Sequence, residues 1–136
     1  MVDSLTPSRR SENMRRIRSK NTKPEMLIRR LVHAMGFRYR LHPRDLPGKP
    51  DLVFRRKKKA IFVHGCFWHQ HPDCAEGRIP DSRREYWGPK LTRNRERDQI
   101  HLGTFAEMGW KTLVLWECEA KDITTLRKNI RAFLES

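Results

Sequence analysis

The sequence has no long hydrophobic run and only three cysteines. Without a stretch of about 20 apolar residues it has no transmembrane segment, and its first residues lack the apolar core of a signal peptide. We therefore expect a cytoplasmic protein in a reducing compartment, with no membrane partner. An odd number of cysteines in that setting argues against a disulfide framework and for metal ligands or free thiols; the three are Cys66, Cys74 and Cys118.

Acidic residues are also scarce. The chain of 136 residues has 16 Asp and Glu against 30 Lys and Arg, which gives a net charge of +14. Solubility rarely needs so one-sided an excess, so the composition indicates a polyanionic partner. Nucleic acid fits better than an acidic membrane, because a membrane-binding protein needs a basic amphipathic helix with a broad apolar face.

The basic residues are dense at the start of the chain. Residues 1–21 are almost without hydrophobic side chains, and charge runs of this kind are solvated or lie on nucleic acid. We predict a basic N-terminal arm over residues 1–21 and a single domain over residues 22–136. At 37% hydrophobic residues, such a domain can bury a modest core.

The first predicted helix starts near Thr22. Thr22 can cap the helix, Pro24 is tolerated in the first turn, and Glu25 stands where the carboxylate of a capping box belongs. Apolar residues then recur at helical spacing as far as Met35, and Gly36 is a natural stop. An alternating segment over 37–42 predicts a half-buried strand, and a loop rich in Pro and Gly follows over 43–50.

The remaining pattern predicts an α/β fold. Two short apolar runs, 51–54 and 60–63, indicate a hairpin with a solvated, charged tip over 55–59. Residues 64–90 look irregular. A charged helix is predicted over about 91–108, with Ile100, Leu102, Phe105 and Met108 on or near its buried side, before a buried strand over 111–117. A last helix over 122–134 carries Ile123, Leu126, Ile130 and Phe133. The order α-β-β-β-α-β-α predicts a mixed sheet flanked by helices.

The segment His64–Cys74, "HGCFWHQHPDC", concentrates metal-binding chemistry. Cys66, Cys74 and one histidine could join Cys118 in a closed tetrahedral zinc site, which would be structural. Spacing alone leaves His69 and His71 competing for the histidine position. The alternative is that these are ordinary buried residues. Zinc is favoured because the site would use every cysteine of the chain together with a clustered histidine.

A second candidate site lies at the mouth of the predicted hairpin. Asp51 opens its first strand, and His64 ends its second strand, with His69 nearby. A carboxylate, a backbone carbonyl and substrate phosphate oxygens would suffice to hold Mg²⁺. The alternative is that Asp51 is only a turn residue, because the dipeptide Pro50-Asp51 is common.

Several motifs together resemble the very short patch repair endonucleases, the bacterial Vsr-type T·G mismatch nickases. They span about residues 11–120: "SENMRRIRSKNTKPE", Pro50-Asp51, "FVHGCFWHQHPDC", "EYW", "NRERD" and "LVLWEC". The resemblance implies a restriction-endonuclease-like mixed β-sheet flanked by helices, with a structural zinc site. It also implies that the basic arm contacts DNA.

The resemblance assigns the metal ligands. It implies a structural Zn²⁺ held by Cys66, His71, Cys74 and Cys118. It places His69 on the catalytic histidine, Asp51 on the Mg²⁺-binding aspartate, and Val63 where a main-chain carbonyl helps to hold Mg²⁺. A familiar member has threonine at the position of Val63, and the gap between His71 and Cys74 is one residue longer here, which weakens the zinc register slightly.

The resemblance also assigns supporting roles. Glu25, His64 and Asp98 correspond to residues that shape the hydrated metal cluster; the alternatives are a capping box for Glu25 and a surface charge for Asp98. A second set corresponds to side chains that enter the duplex beside the mismatch: Met14, Phe67, Trp68 and Trp87. For Phe67 and Trp68 the alternative is core packing.

The implied activity is Mg²⁺-dependent nicking of double-stranded DNA. It would hydrolyse the phosphodiester 5′ to the thymine of a T·G mismatch left by deamination of 5-methylcytosine, with His69 as general base or proton shuttle. We expect a monomer in the bacterial cytoplasm, nucleoid-associated when on DNA, with a functional link to a cytosine-5 DNA methyltransferase and repair proteins. Two alternatives are a non-catalytic zinc module that binds nucleic acid and a nuclease without mismatch preference.

Overall fold

The structure is a computed structural model that describes residues 22–72, 74 and 84–136. The predicted N-terminal arm, including Met14, lies outside these residues. No helix of the described part is long and apolar enough to cross a membrane. The predicted element order is confirmed, with these bounds: α1 Lys23–Ala34, β1 Arg40–Leu41, β2 Leu52–Phe54, β3 Lys59–His64, α2 Arg84–Glu107, β4 Lys111–Trp116 and α3 Ile123–Glu135.

Helix α1 begins as predicted. Thr22 is the N-cap, and its hydroxyl accepts a hydrogen bond from the Glu25 amide at 3.4 Å. Gly36 follows the helix with φ +92°, a left-handed conformation that favours glycine. The N-terminus of α1 is therefore fixed at Thr22, which sets the position of Glu25.

The described strands form one mixed sheet in the order β1-β2-β3-β4. Strands β2 and β3 are the predicted hairpin, with Leu52 opposite Ile61. Strands β3 and β4 are parallel, with His64 opposite Trp116, so both strands end at the same edge of the sheet. The residues that follow them, Cys66 and Cys118, are thereby brought together.

Helices cover both faces of the sheet, as the α/β prediction required. Leu52, Phe54 and Ile61 pack against α1 and α3 on one face. Val53 and Phe62 point to the other face, where Phe105 of α2 is fully buried against them. This alternation follows from the pleat of a strand, whose successive side chains point to opposite faces.

Two predictions around the hairpin were wrong in detail. The strand predicted over 37–42 is only Arg40–Leu41, because Phe37 and Tyr39 pack against the core without joining the ladder. Lys59, predicted in the solvated tip, is 4% exposed. Its ammonium donates to the carbonyl oxygens of Phe133 at 2.7 Å and Ser136 at 2.9 Å, and thereby caps the C-terminal end of α3.

The start of α2 was also predicted wrongly. The helix begins at Arg84, so residues 84–90 are not irregular. Pro89 lies in its early turns and removes only one backbone donor. The buried side of α2 carries Trp87 and Leu91, whose packing outweighs that loss.

The predicted buried sides of the later elements need correction at single residues. Ile100 and Met108 are exposed at 65% and 42%, because the buried side of α2 is the one that carries Phe105. Ile123 is 45% exposed at the start of α3. In the strand predicted over 111–117, only Leu115 is fully buried.

Candidate functional site

A cleft of about 1160 Å³ opens where α1 starts, β2 starts and β3 ends. Local structure explains why the chain delivers polar groups there: Glu25 lies in the first turn of α1, Asp51 precedes β2, and His64 ends β3. The cleft brings together seven residues that the sequence indicated: Glu25, Asp51, Val63, His64, Phe67, Trp68 and His69.

The first cluster in the cleft consists of Glu25, His42 and Asp51. Nε2 of His42 lies 2.9 Å from Glu25 Oε2 and 3.7 Å from Asp51 Oδ1. The Glu25 side chain also contacts the guanidinium of Arg29 at 3.3 Å. Since Glu25 is only 2% exposed, two carboxylates and an imidazole share a poorly hydrated space.

Asp51 is held in place by the neighbouring strand. Its Oδ2 accepts a hydrogen bond from the Val63 amide at 2.7 Å. The pKa of Asp51 is raised from 3.8 to about 7, chiefly by burial; the Val63 amide lowers the pKa, and the Glu25 carboxylate raises it. Such a pair of buried carboxylates is unfavourable when both are ionised unless a cation neutralises them.

A second cluster consists of His64, His69 and Asp98. Nδ1 of His69 lies 2.6 Å from Asp98 Oδ2, and the rings of His64 and His69 are stacked at 3.8 Å between centroids. The side chain of Asp98 is 18% exposed, so the contact with His69 explains Asp98 better than a surface charge does. Contact with Asp98 fixes the orientation of the His69 ring and leaves Nε2 as the nitrogen that can accept or release a proton.

His64 is a neutral member of this cluster. Its pKa is lowered to about 3, chiefly by burial and further by the charge of His69, while Asp98 acts in the opposite direction. The imidazole is therefore uncharged at neutral pH. It can stack on His69 without adding a positive charge to the cleft.

The third cluster consists of Cys66, His71, Cys74 and Cys118, whose potential ligand atoms all lie within 4.8 Å of one another. Nδ1 of His71 is 3.7 Å from the Cys66 sulfur and 3.4 Å from the Cys118 sulfur. These separations suit a tetrahedral site with metal–ligand bonds of about 2.0–2.3 Å. Among the described residues, His69 belongs to a different cluster, so the geometry separates the two histidines.

Two further contacts stabilise the third cluster. The His71 ring stacks on Trp116, with 4.3 Å between centroids, and the Cys66 amide donates to Glu117 Oε1 at 2.9 Å. Burial raises the pKa of the Cys66 thiol to about 12 in the protein without metal. Only a bound cation would make its thiolate favourable at neutral pH.

The aromatic residues form a packed group beside the cleft. Phe67, Trp68 and Trp87 meet edge to face at centroid distances of 5.2 to 5.6 Å, and Leu91 completes the group. Trp68 is 6% and Trp87 4% exposed, whereas Phe67 is only partly buried. In the protein without DNA, core packing therefore describes the two tryptophans.

Sequence reasoning missed His42, Arg44 and Lys49, which also line the cleft. No local signal marks His42, whose place in the cleft follows from the pairing of β1 with β2: its amide donates to the Asp51 carbonyl oxygen at 3.3 Å. Arg44 and Lys49 lie in the loop predicted over 43–50. Their charges suit contact with phosphate.

Comparison with known proteins finds one family model, DNA mismatch endonuclease Vsr, which matches residues 2–76. The chain is 47% identical over 135 residues to a type II nicking enzyme, V.XorIIP, of Xanthomonas oryzae, covering 99% of this chain and 98% of that protein. It is 42% identical to the type II nicking enzyme V.NmeAIP of Neisseria meningitidis, covering 96% and 92%. It is 38% identical to the DNA mismatch endonuclease Vsr of Escherichia coli, covering 87% and 75%.

Proposed function

The chain belongs to the Vsr family of DNA mismatch endonucleases, and on that premise we propose that it nicks DNA at T·G mismatches. It is a DNA endonuclease, and the bond hydrolysed would be the phosphodiester 5′ to the mispaired thymine. The observation that carries this proposal is the convergence of Asp51 and the His69–Asp98 pair on one cleft.

The residues of the cleft fit a divalent cation. Asp51 and Glu25 are buried together, and the pKa of Asp51 is raised chiefly by that burial and further by the Glu25 carboxylate. Asp51 Oδ1, the main-chain carbonyl oxygen of Val63 and the Glu25 carboxylate would hold Mg²⁺. When bound, Mg²⁺ would neutralise the phosphate and lower the pKa of a water molecule.

His69 would move the proton. Because its Nδ1 is engaged by Asp98, its Nε2 can accept a proton from the attacking water and return it to the leaving group. Asp98 would stabilise the imidazolium formed in that step. His64, stacked on the ring and neutral, would keep His69 in this orientation.

The four-ligand cluster fits a structural Zn²⁺. Three thiols and one imidazole complete a tetrahedron and leave no open position, so this metal would hold the loop and do no chemistry. Its function would be positional. Cys66 and His71 enclose the segment that carries Phe67, Trp68 and His69, so zinc would fix both the aromatic group and the catalytic imidazole.

Mismatch recognition would use the aromatic group. A T·G wobble pair is easier to pry open than a matched pair, and an inserted aromatic ring replaces lost stacking at about 1–3 kcal/mol per base. Phe67, partly exposed at the cleft, is best placed to enter the duplex first. Trp68 and Trp87 would support it, and Met14 of the arm would enter from the other groove.

The decisive experiment is strand-specific cleavage of an end-labelled duplex with one T·G pair. Matched T·A and C·G duplexes serve as substrate controls, each with and without Mg²⁺. We expect one nick, in the thymine strand of the T·G duplex only, when Mg²⁺ is present. Asp51→Ala should abolish that nick while binding persists, because phosphate contacts supply most of the affinity.

A nuclease without mismatch preference is the second candidate, and the burial of Trp68 and Trp87 favours it. Two tryptophans that stay packed could not fill an opened base step. Equal nicking of the T·G and T·A duplexes would establish this candidate. No cleavage of any duplex would instead indicate a non-catalytic zinc module, which has no use for the paired Asp98 and His69.

A further inference from the structure

His42 has no part in the mechanism described so far, yet its imidazole faces both carboxylates of the cleft. Nε2 is 2.9 Å from Glu25 Oε2 and 3.7 Å from Asp51 Oδ1. The three residues offer atoms that all lie within 4.8 Å of one another, which suits a single ion. The backbone of His42 has φ +44°, at the end of β1, and this turn directs its ring into the cleft.

The contact between His42 and Glu25 is close in distance but is not a hydrogen bond. Nε2 is buried and has no hydrogen-bond partner among the described residues, although an acceptor oxygen lies 2.9 Å away. The contact with Glu25 Oε2 therefore lacks the alignment of a hydrogen bond. Two adjacent ligands of one metal ion are aligned on the ion and not on each other. A close contact without hydrogen-bond alignment is therefore the arrangement that a shared ion requires.

The separations agree with that interpretation. Adjacent ligands of an octahedral ion with bonds of about 2.1 Å are about 3 Å apart. The Nε2–Oε2 distance of 2.9 Å matches this value, and the Nε2–Oδ1 distance of 3.7 Å is within a small side-chain rotation of it. Asp51 Oδ2 is engaged by the Val63 amide, so Oδ1 is the oxygen available to the ion.

We propose that His42 is a ligand of the cleft cation, and that this site binds a first-row transition ion such as Mn²⁺ more tightly than Mg²⁺. The inference rests on the proposed function in that it places the catalytic cation at Asp51. Mg²⁺ prefers oxygen ligands and gives up its water reluctantly, whereas an imidazole nitrogen favours transition ions. A site with two carboxylates and one imidazole therefore discriminates between the two classes of ion.

The test measures metal binding directly, without DNA, on the full zinc-loaded chain. Titration calorimetry gives the affinities for Mn²⁺ and for Mg²⁺, and pulsed electron paramagnetic resonance detects nitrogen coupled to bound Mn²⁺. His42→Gln keeps a polar side chain of similar size but removes the imidazole. We expect it to lower the Mn²⁺ affinity at least about tenfold, to change the Mg²⁺ affinity less than about threefold, and to abolish the coupling of the His42 nitrogen.

Two control variants are available in this chain. His33→Gln alters an exposed histidine on α1 and should leave both affinities unchanged. Asp51→Asn removes the shared carboxylate and should weaken both ions. Should His42→Gln fail to fold, as judged by circular dichroism, His42→Asn makes the same comparison.

Three results would overturn the inference: equal losses of Mn²⁺ and Mg²⁺ affinity in His42→Gln, no loss of either, or a wild-type Mn²⁺ spectrum without nitrogen coupling. Equal losses would mean that His42 only positions Glu25.

The proposed function fails separately. Selective loss of Mn²⁺ binding in a protein that nicks no duplex supports the ligand role alone, and T·G nicking with unchanged Mn²⁺ binding supports the function alone.

Discussion

Three histidines that stand within eight residues of sequence face three different environments. His64 is buried and neutral, His69 is bound to Asp98, and His71 lies among sulfur atoms. The side chain is the same each time. Its chemistry is set by the neighbours, which come from residues as far away as Asp98 and Cys118.

The assignment of separate tasks to His69 and His71 leads to a paired prediction. His71→Ala should lose zinc and unfold more easily, because metal binding and folding are coupled. His69→Ala should keep its zinc and its fold but lose nicking by at least about 10²-fold, the usual effect of a lost general acid or base. Elemental analysis, thermal unfolding and the T·G assay measure the three properties, and the reverse pattern would exchange the two roles.

The raised pKa of Asp51 predicts a dependence of stability on pH. Below about pH 4 the carboxyl is protonated in both the folded and the unfolded chain. Between pH 4 and about 7 the Asp51 carboxyl is ionised in the unfolded chain but largely protonated in the folded chain. The free energy of unfolding therefore falls as pH rises through this range and stays lower above pH 7. Asp51→Asn, without added divalent cation, should therefore gain stability over the wild type with rising pH, by at most about 4 kcal/mol.

Urea unfolding of both proteins at pH 5.5 and pH 8 measures that gain. Both proteins keep the same four-ligand cluster, so any effect of its metal on stability cancels in the difference. The matched control is Asp45→Asn, since the exposed Asp45 has a lowered pKa from its contact with Arg55 and should show no such gain. If the unfolding free energies of Asp51→Asn and the wild type differ by the same amount at both pH values, the raised pKa of Asp51 is contradicted.

The sequence and its family resemblance indicated seven residues of the cleft but not their contacts. Asp51, His69 and the cysteines stand out because their types and spacing carry chemistry. His42 does not stand out, because a lone histidine at the end of a predicted strand has no local signature. It becomes part of the cleft only through the pairing of β1 with β2, which puts Leu41 opposite Leu52.

At the scale of the elements, the loop between β1 and β2 approaches α2 closely at Gly48. Gly48 has φ +72°, and a Cβ atom there would lie 2.8 Å from Cβ and Cγ of His101. The start of the His101 side chain cannot move away without moving α2. The loop carries Arg44 and Lys49, so its docking also places two cations at the cleft.

Gly48→Ala should therefore destabilise the protein more than the usual penalty for a left-handed alanine. Gly36→Ala is the matched control: its φ is +92°, but nothing lies within 4 Å of the added Cβ. Both variants carry the backbone strain of about 1–2 kcal/mol, and only Gly48→Ala adds overpacking of about 1–3 kcal/mol. Equal free energies of unfolding for the two variants would show that the loop moves without resistance.

The aromatic group connects the segment between Cys66 and His71 to α2. Because Trp68 is more buried than Phe67, alanine substitution of each should have a different effect. Trp68→Ala removes a side chain that is 6% exposed, so it should cost about 3–5 kcal/mol of stability. Phe67→Ala should cost less stability but lose about 1–3 kcal/mol of binding to T·G duplexes relative to matched ones. Unfolding and binding at one fixed salt concentration separate the two; equal weakening of both duplexes by Phe67→Ala would exclude a wedge.

The same group explains why the start of α2 could not be predicted. Gly88 and Pro89 are poor helix formers, and local propensity places the start after them. Trp87 and Leu91 pack against Phe67 and Trp68, which belong to a different segment of the chain. By contrast, α1 was predicted closely, because its cap and its apolar spacing are local signals.

At the scale of the molecule, two pairs of basic residues in the described part of the chain lie at opposite ends of the β2–β3 hairpin. Arg44 and Lys49 line the cleft, whereas Arg56 and Lys58 are exposed at the hairpin tip, at the opposite end of β2 and β3. Only the first pair lies beside the proposed path of DNA. A net charge of +14 therefore does not mean that every cation contributes equally to binding.

The salt dependence of DNA affinity tests this division. The double variant Arg44→Ala/Lys49→Ala should lower the slope of log affinity against log salt by about 2 in magnitude, one for each lost phosphate contact. The double variant Arg56→Ala/Lys58→Ala removes the same charge and should leave the slope unchanged. Equal changes in the two variants would mean that DNA contacts both ends of the sheet.

Parallel strands cannot be joined by a tight turn, so a long connection separates β3 from β4. During synthesis β3 therefore emerges well before the strand that pairs with it. The hairpin of β2 and β3 can form as soon as it leaves the ribosome, but β4 emerges only after the whole of α2. Cys118 follows Cys66 only after the whole of α2, so the third sulfur, which is the fourth ligand of the cluster, arrives late. Docking of β4 should therefore be the slow step of folding. Until it occurs, the nascent chain has an unpaired β3 edge, and zinc has only its local ligands.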